Sequence, residues 1–226
     1  MKQIIKKFLS RRDWLRHSAA ATLALGLWPG CAAHRENGRG GNFSFIAIND
    51  THYFSPECPA FFQRVIASVK ALTPRPEFCL MIGDLAEKGT LQELGAMRDV
   101  LRSFDMPFHP VIGNHDYLSQ TDRSTWDQLF PGKLNYHFEH RDWQLIGLDS
   151  TEGLKYRDTY IQPETFRWLD DQLRKLNPAK PTILFTHFPL GMDLRYRPKN
   201  ADALLERFGD FNLVAVFNGH FHGATE

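Results

Sequence analysis

From Phe43 onward the chain alternates short apolar runs with longer segments whose apolar residues recur every three or four positions. Phe43–Asn49, Phe78–Ile82 and Phe108–Ile112 have the length and apolar character of strands. Between them, Pro59–Leu72 and Leu91–Phe104 carry helical spacing. A β-α-β-α-β order predicts parallel strands joined by right-handed crossovers. Further on, Leu134–Glu139 and Trp143–Leu148 flank His140-Arg141-Asp142 and read as a hairpin. Pro163 opens a helical stretch over Glu164–Leu176, at a position where a helix accepts proline readily. Thr182–Thr186 and Leu213–Phe217 read as two more strands, with a helix near Ala201–Phe208 between them. The pattern predicts one mixed α/β domain over residues 43–226, without internal repeats.

The first 42 residues follow a different logic. Ser10-Arg11-Arg12-Asp13-Trp14-Leu15-Arg16 resembles the twin-arginine export signal, with Trp and Arg where that signal often has Phe and Lys. A modestly apolar stretch from Ala19 to Leu27 follows, and then the small residues Cys31-Ala32-Ala33. A basic start, an apolar middle and a small-residue cleavage site are the ordered parts of a secretory signal. Residues 1–33 are therefore expected to be a signal peptide and residues 34–42 a flexible, Gly-rich leader. The apolar middle falls well short of the roughly 20 residues that span a bilayer. Gly30-Cys31 leaves open a lipid anchor at Cys31, although Trp28 and Pro29 fit that cleavage pattern poorly. The implied partner is the twin-arginine export machinery, and the implied location is the bacterial periplasm or cell envelope.

Composition sharpens this picture. The chain has 226 residues, 42% hydrophobic and 23% charged, an ordinary globular mix able to build one substantial core. Its formal net charge of +1 is uneven, because residues 1–33 hold six basic side chains and one acidic. The remainder carries 21 basic and 25 acidic residues, a net of −4. Such a body offers no broad electrostatic footprint for nucleic acid, so neither DNA nor RNA is an expected partner. Cys31, Cys58 and Cys79 show no metal-type pairing, and a Cys58–Cys79 disulfide stays open.

Five short motifs fall after strand candidates: Asp50-Thr51-His52, Gly83-Asp84, Gly113-Asn114-His115-Asp116, Thr186-His187 and Gly219-His220-Phe221-His222. Strand ends are where ligand-binding loops converge in α/β folds. Each motif offers carboxylate, amide or imidazole donors, which suit Zn, Mn, Fe and similar metals. Asp50 and His52 are two residues apart, so extended backbone would aim both at one ion, and His220 and His222 repeat the spacing. Gly83, Gly113 and Gly219 each precede a donor and allow tight or left-handed turns. Any one motif alone is ordinary surface or turn chemistry; all five in order at matching strand ends point to a site. His109, His137 and His140, with His17 and His34 in the leader, are expected to be structural or surface residues.

The ordered set resembles the calcineurin-like metallophosphoesterase superfamily, whose pattern is D-x-H, G-D, G-N-H-[D/E], H and G-H-x-H. Segments such as Gly83-Asp84-Leu85-Ala86-Glu87-Lys88-Gly89 and Leu148-Asp149-Ser150 are similar to its cyclic-nucleotide and glycerophosphodiester phosphodiesterase branch. The resemblance implies an α/β fold, a two-sheet β-sandwich flanked by helices. It also implies two metal ions, with Fe, Mn or Zn most in keeping with the donors. Asp50, His52 and His222 would hold the first, Asn114, His187 and His220 the second, with Asp84 bridging. A bridging hydroxide would attack phosphorus in line. His115 would steady the transition state or protonate the leaving oxygen, with Asp116 the candidate to orient its ring.

The expected substrate is a small-molecule phosphate ester, a phosphodiester above all. The alternatives are a phosphomonoesterase or nucleotidase of the cell envelope, or a truncated, non-catalytic metal-binding relic. The relic reading arises because family members usually continue past the last His motif with further strands, here apparently missing, which predicts reduced stability. Specificity is expected from the loops Tyr53–Cys58, Tyr117–Phe130 and Gly191–Asn200, where Arg195 and Arg197 could meet a phosphate but more often such arginines are solvated.

Overall fold

The computed structural model describes residues 42–54 and 58–222. The expected signal peptide with Cys31, all of the expected leader except Asn42, residues 55–57 of the Tyr53–Cys58 loop, and residues 223–226 lie outside the described residues.

Strands β1 (Phe45–Ile48), β2 (Phe78–Ile82) and β3 (Phe108–Val111) form a parallel sheet in that order. Strands β4 (Tyr136–His140), β5 (Trp143–Leu148), β6 (Thr182–Thr186) and β7 (Leu213–Phe217) form the other. Only β4 runs antiparallel there, joined to β5 by a two-residue turn in which Arg141 takes φ 53°. His140 belongs to β4 and pairs with Trp143, so the turn is shorter than the expected His140-Arg141-Asp142.

Alternation along the strands explains the layering. Phe78, Leu80 and Ile82 of β2 pack with Leu145, Ile183 and Phe185 of the second sheet. The intervening Cys79 and Met81 face the helical side, against Leu94, Met97 and Leu101 of α2 (Leu91–Arg102) and against α1 (Cys58–Lys70). On the far side, Ile146, Leu148 and Leu184 pack on α4 (Pro163–Leu173) and α5 (Ala201–Leu205). The result is helices, sheet, sheet, helices. Strands buried on both faces read as unbroken apolar runs, which is why β2 is buried at every position.

Helix ends follow local rules. Thr90 caps α2 by accepting from Glu93 N at 3.2 Å, while Glu93 accepts from Lys88 N at 2.9 Å. Pro163 stands in the first turn of α4, as expected. The sequence did not announce α3 (Ser124–Leu129), inside the stretch expected to be loop. Six residues are too few to display a helical period, and α3 is held by one fully buried ring, Trp126, set 4.6 Å from Phe130.

Cys58 and Cys79 are free thiols, and burial pushes the Cys79 pKa up to about 12. Among the described residues no helix is long and apolar enough to cross a membrane.

Candidate metal centre

All five motifs converge at the C-terminal ends of β1, β2, β3, β6 and β7. There the backbone departs from what spacing suggested. Asp50 (φ 52°), His52 (φ 42°), His220 (φ 65°) and His222 (φ 50°) are left-handed rather than extended. Their side chains still reach common ground, but through turns. Asp84 joins them at φ 51°, so five donors occupy a conformation that costs a non-glycine residue energy. Such strain persists only where the surroundings over-determine it. Gly83 (φ 73°) is a case where glycine is required, because a Cβ would lie 2.4 Å from His187 Nδ1. Gly113 has ordinary φ, yet a Cβ there would meet Asp84 at 2.2 Å.

Two groups of motif donors result, and a third, His52 with Glu87 and His115, shares His52 with the first. Asp50, His52 and His222 form one, with His222 Nε2 at 3.3 Å from Asp50 Oδ1 and 3.2 Å from His52 Nε2. Asp84, His187 and His220 form the other, with His187 Nε2 at 3.1 Å from His220 Nδ1 and 3.3 Å from Asn114 Oδ1. Asp84 Oδ2 touches both, at 3.5 Å from His52 Nε2 and 3.2 Å from His187 Nε2. Its other oxygen accepts from His115 N at 2.9 Å.

Hydrogen bonds set the imidazoles up as ligands. His187 Nδ1 donates to Ile82 O (3.1 Å), His220 Nε2 to Tyr156 O (2.7 Å), and His52 Nδ1 to Glu87 Oε2 (2.9 Å). In each ring the remaining nitrogen, Nε2 of His52 and His187 and Nδ1 of His220, faces the cluster. Asp50 accepts from His220 N at 2.9 Å and 3.0 Å, tying the first motif to the last across 170 residues.

Electrostatics point to a cation. Burial alone would raise the Asp84 pKa, but His187, by charge and hydrogen bond, holds it far below the usual range. Burial lowers the pKa of His187, and Asp84 overrides it to about 9. His220 drops to about 4 through burial and the nearby His187 charge. Two buried carboxylates thus draw a proton onto His187, where a metal ion would supply the same charge. The donor set, the fixed tautomers and this charge demand all fit divalent metals.

Asp116 does not reach the His115 ring. It is fully buried and accepts from Ala86 N and Gly113 N, both at 2.9 Å, and burial with the Asp84 charge pushes it up to about 8. The group on His115 Nδ1 is instead Glu87, whose carbonyl accepts at 2.9 Å and whose carboxylate lies 3.9 Å away. Glu87 stands inside the Gly83–Gly89 segment with no motif of its own. Its place four residues before Leu91 gave no sign that one residue serves both His52 and His115.

An open cleft of about 370 Å³ lies over the donors, lined by His52, Asp84, His115, His220 and His222 with Tyr156 and Tyr196. Tyr156 comes from the loop after β5, which sequence reasoning did not assign to the site. Arg197 turns inward to Leu190 O (2.8 Å) and is ion-paired with Asp202 (2.5 Å), so it is not poised for a substrate. His109 stacks on Phe138 and His140 pairs with Glu77 at 2.8 Å, both away from the donors.

Fold and site together define a metal-dependent phosphoesterase. The chain belongs to the calcineurin-like phosphoesterase family, whose model matches residues 43–224. It is 27% identical over 197 residues to a probable glycerophosphodiester phosphodiesterase GpdQ of Arcobacter nitrofigilis, covering 78% of this chain and 71% of that protein. It is 25% identical over 196 residues to the 3',5'-cyclic-nucleotide phosphodiesterase alr5338 of a Nostoc species, covering 79% and 71%. The solved phosphopantetheinyl hydrolase PptH of Mycobacterium tuberculosis shares the fold, with a TM-score of 0.52 at 17% identity over 79% of this chain and 83% of that one.

Proposed function

We propose that the chain hydrolyses small phosphodiesters with two metal ions, drawn from Fe, Mn and Zn. The observation that carries this is one carboxylate oxygen, Asp84 Oδ2, lying within 3.5 Å of the facing nitrogens of both donor groups. Asp50, His52 and His222 would hold one ion, Asn114, His187 and His220 the other, and Asp84 both. When bound, such ions supply positive charge to the phosphoryl oxygens and a nucleophilic water at neutral pH. The protein's residues do the rest. His115 Nδ1 donates a hydrogen bond to the Glu87 carbonyl, which leaves Nε2 on the cleft side; when Nε2 also carries a proton, the ring would hydrogen-bond the phosphoryl group or give that proton to the departing oxygen. Glu87 fixes His52 through Oε2, and Ile82 and Tyr156 fix His187 and His220 through their carbonyls. The phosphodiesterase names of the relatives favour diesters over monoesters.

The proposal extends to location. The twin-arginine-like segment Ser10–Arg16 supports export to the bacterial periplasm; a lipid anchor at Cys31 is the alternative there, with Trp28 and Pro29 fitting its cleavage pattern poorly. Export that survives Arg11→Lys with Arg12→Lys would remove the first part, and a Cys31→Ser variant that still fractionates with membranes would remove the second.

The enzymatic reading is tested by metal analysis of the purified protein together with turnover of bis(4-nitrophenyl) phosphate and 4-nitrophenyl phosphate. About two ions per chain and chelator-sensitive turnover, faster on the diester, are expected. A folded protein that takes up no metal and turns over neither ester overturns the reading.

A further inference from the structure

Beside the metal-donor cleft lies a second compartment of about 380 Å³, and Tyr156 lines both. Its wall is built rather than draped. Leu154 N donates to Gln120 O at 3.2 Å, and a Cβ on Gly153 (φ 58°) would overlap that same carbonyl, so the two loops meet at backbone distance. Tyr160 N donates to Glu152 Oε2 at 2.9 Å, and Tyr156 O accepts from His220, which links the wall to a metal donor.

The charges in this compartment are unequal in their freedom. Lys155 is ion-paired with Glu152, and Asp158 with Lys199 at 3.1 Å. Arg157 has no carboxylate partner among the described residues; its guanidinium lies over the Tyr156 ring at 5.1 Å. Across the cleft the arrangement recurs. Arg195 lies over the Tyr196 ring at 5.3 Å, also without a carboxylate partner among the described residues. The two tyrosine rings are 6.5 Å apart, and Tyr196 packs edge-on to His220 at 5.1 Å. Tyr196 holds φ 67°, a strained conformation for an aromatic residue. A guanidinium stacked on a ring keeps its N–H fork in plane and restricted, ready for bidentate contact with a carboxylate or phosphate. Arg157 lines the second compartment and Arg195 stands on the ring of Tyr196, which lines the metal-donor cleft beside it, while Lys155 and Asp158 are paired.

We infer that the cleft continues into a subsite for a second anionic group, carried on the alcohol side of the phosphate ester and recognised by Arg157 and Arg195. The inference rests on the proposed phosphoesterase activity and names its substrate class: an ester bearing a further carboxylate or phosphate beyond Tyr156, the residue that lines both compartments. The apolar faces of Tyr156 and Leu154 would carry the linking carbons.

The test compares two phosphonates that cannot be hydrolysed, butylphosphonate and 4-phosphonobutyrate, by calorimetry on the metal-loaded protein. The carboxylate-tailed compound should bind roughly tenfold more tightly. Arg157→Gln combined with Arg195→Gln should bring the two affinities to within about twofold of each other, with Lys at both positions restoring part of the preference. Arg167→Gln, exposed on α4, controls for net charge and should keep it. The ratio of kcat/KM for 4-nitrophenyl 3-carboxypropyl phosphate over 4-nitrophenyl butyl phosphate should move in parallel. Equal binding of both phosphonates by a protein that still turns over the esters overturns the subsite and leaves the activity standing. A preference that survives the double substitution also overturns it. Binding of neither phosphonate, with no turnover, overturns the activity and the subsite together.

Discussion

The two ends of the β-sandwich solve opposite problems with the same strands. At the C-terminal end of β2 stand Gly83 and Asp84, with left-handed backbone, buried charge and neighbours of mixed protonation. At the N-terminal end stands Phe78, stacked parallel on Phe45 at 5.0 Å, edge-on to Phe138 at 5.8 Å and tilted against Phe43 at 6.0 Å. Rings in these arrangements add about 0.5–1.5 kcal/mol per pair beyond the area they bury. Crowded carboxylates and strained turns cost energy of similar size. The aromatic end stabilises the fold, and the donor end uses that stability to hold groups in positions they would not choose. Stability and activity should therefore separate by end.

The sharpest way to break that comparison is His115→Ala. Turnover should fall by about 10²–10⁴, the usual worth of a positioned acid or base, while the metal content stays unchanged. Loss of metal as well would show that His115 holds the site together. Phe78→Ala is the counterpart at the aromatic end. It should lower unfolding free energy by about 3–5 kcal/mol in urea titrations, with kcat of the surviving folded protein little changed. A loss of kcat with normal stability would contradict the division.

Glu87→Ala should weaken metal affinity or activity by about 10–100-fold, because the His52 tautomer loses its acceptor. Glu87→Gln keeps an acceptor oxygen and should recover most of it; equal damage by both would assign the effect to charge instead.

The smallest effect is His109→Phe. Burial, with Lys133 and His140 nearby, lowers the His109 pKa to about 4, and its Nδ1 has no hydrogen-bond partner. Between pH 6.5 and about 4 the unfolded chain takes up a proton that the folded chain refuses. The stabilising contribution is complete above pH 6.5, declines as pH falls, and levels off below about 4. Phe keeps the stack on Phe138, whose ring lies 3.6 Å away, and removes the titration. The acid-side slope of stability against pH should become shallower over that window; an unchanged slope would show that other groups set it.

Much of the fold was legible in the order of residues. Alternating apolar runs located β2, β5, β6 and β7 at their observed bounds, and Pro163 marked a helix start, because side-chain period and proline geometry act within a few residues. The sandwich itself came from resemblance rather than from periodicity, since alternation cannot say which buried strands pair or which sheets stack. The short helix α3 escaped notice because one deeply buried tryptophan, not a repeated pattern, holds it.

The site divides in the same way. The residue order singled out Asp50, His52, Asp84, Asn114, His187, His220 and His222 as candidate donors, because each stands in a short motif after a strand. It also marked Gly83, Gly113 and Gly219 as places for tight turns, and the structure shows that Gly83 takes φ 73°. Tertiary structure decided what those groups do to one another. It placed Asp84 between two donor groups, turned Asp116 toward backbone amides and gave His115 to Glu87. It tied Arg197 to Asp202 and brought Tyr156 against a histidine 64 residues away. The reason is physical. Residue type and spacing fix local chemistry and backbone preference, whereas a hydrogen bond or an ion pair needs a distance, and distances across 170 residues exist only once the strands have been ordered and packed.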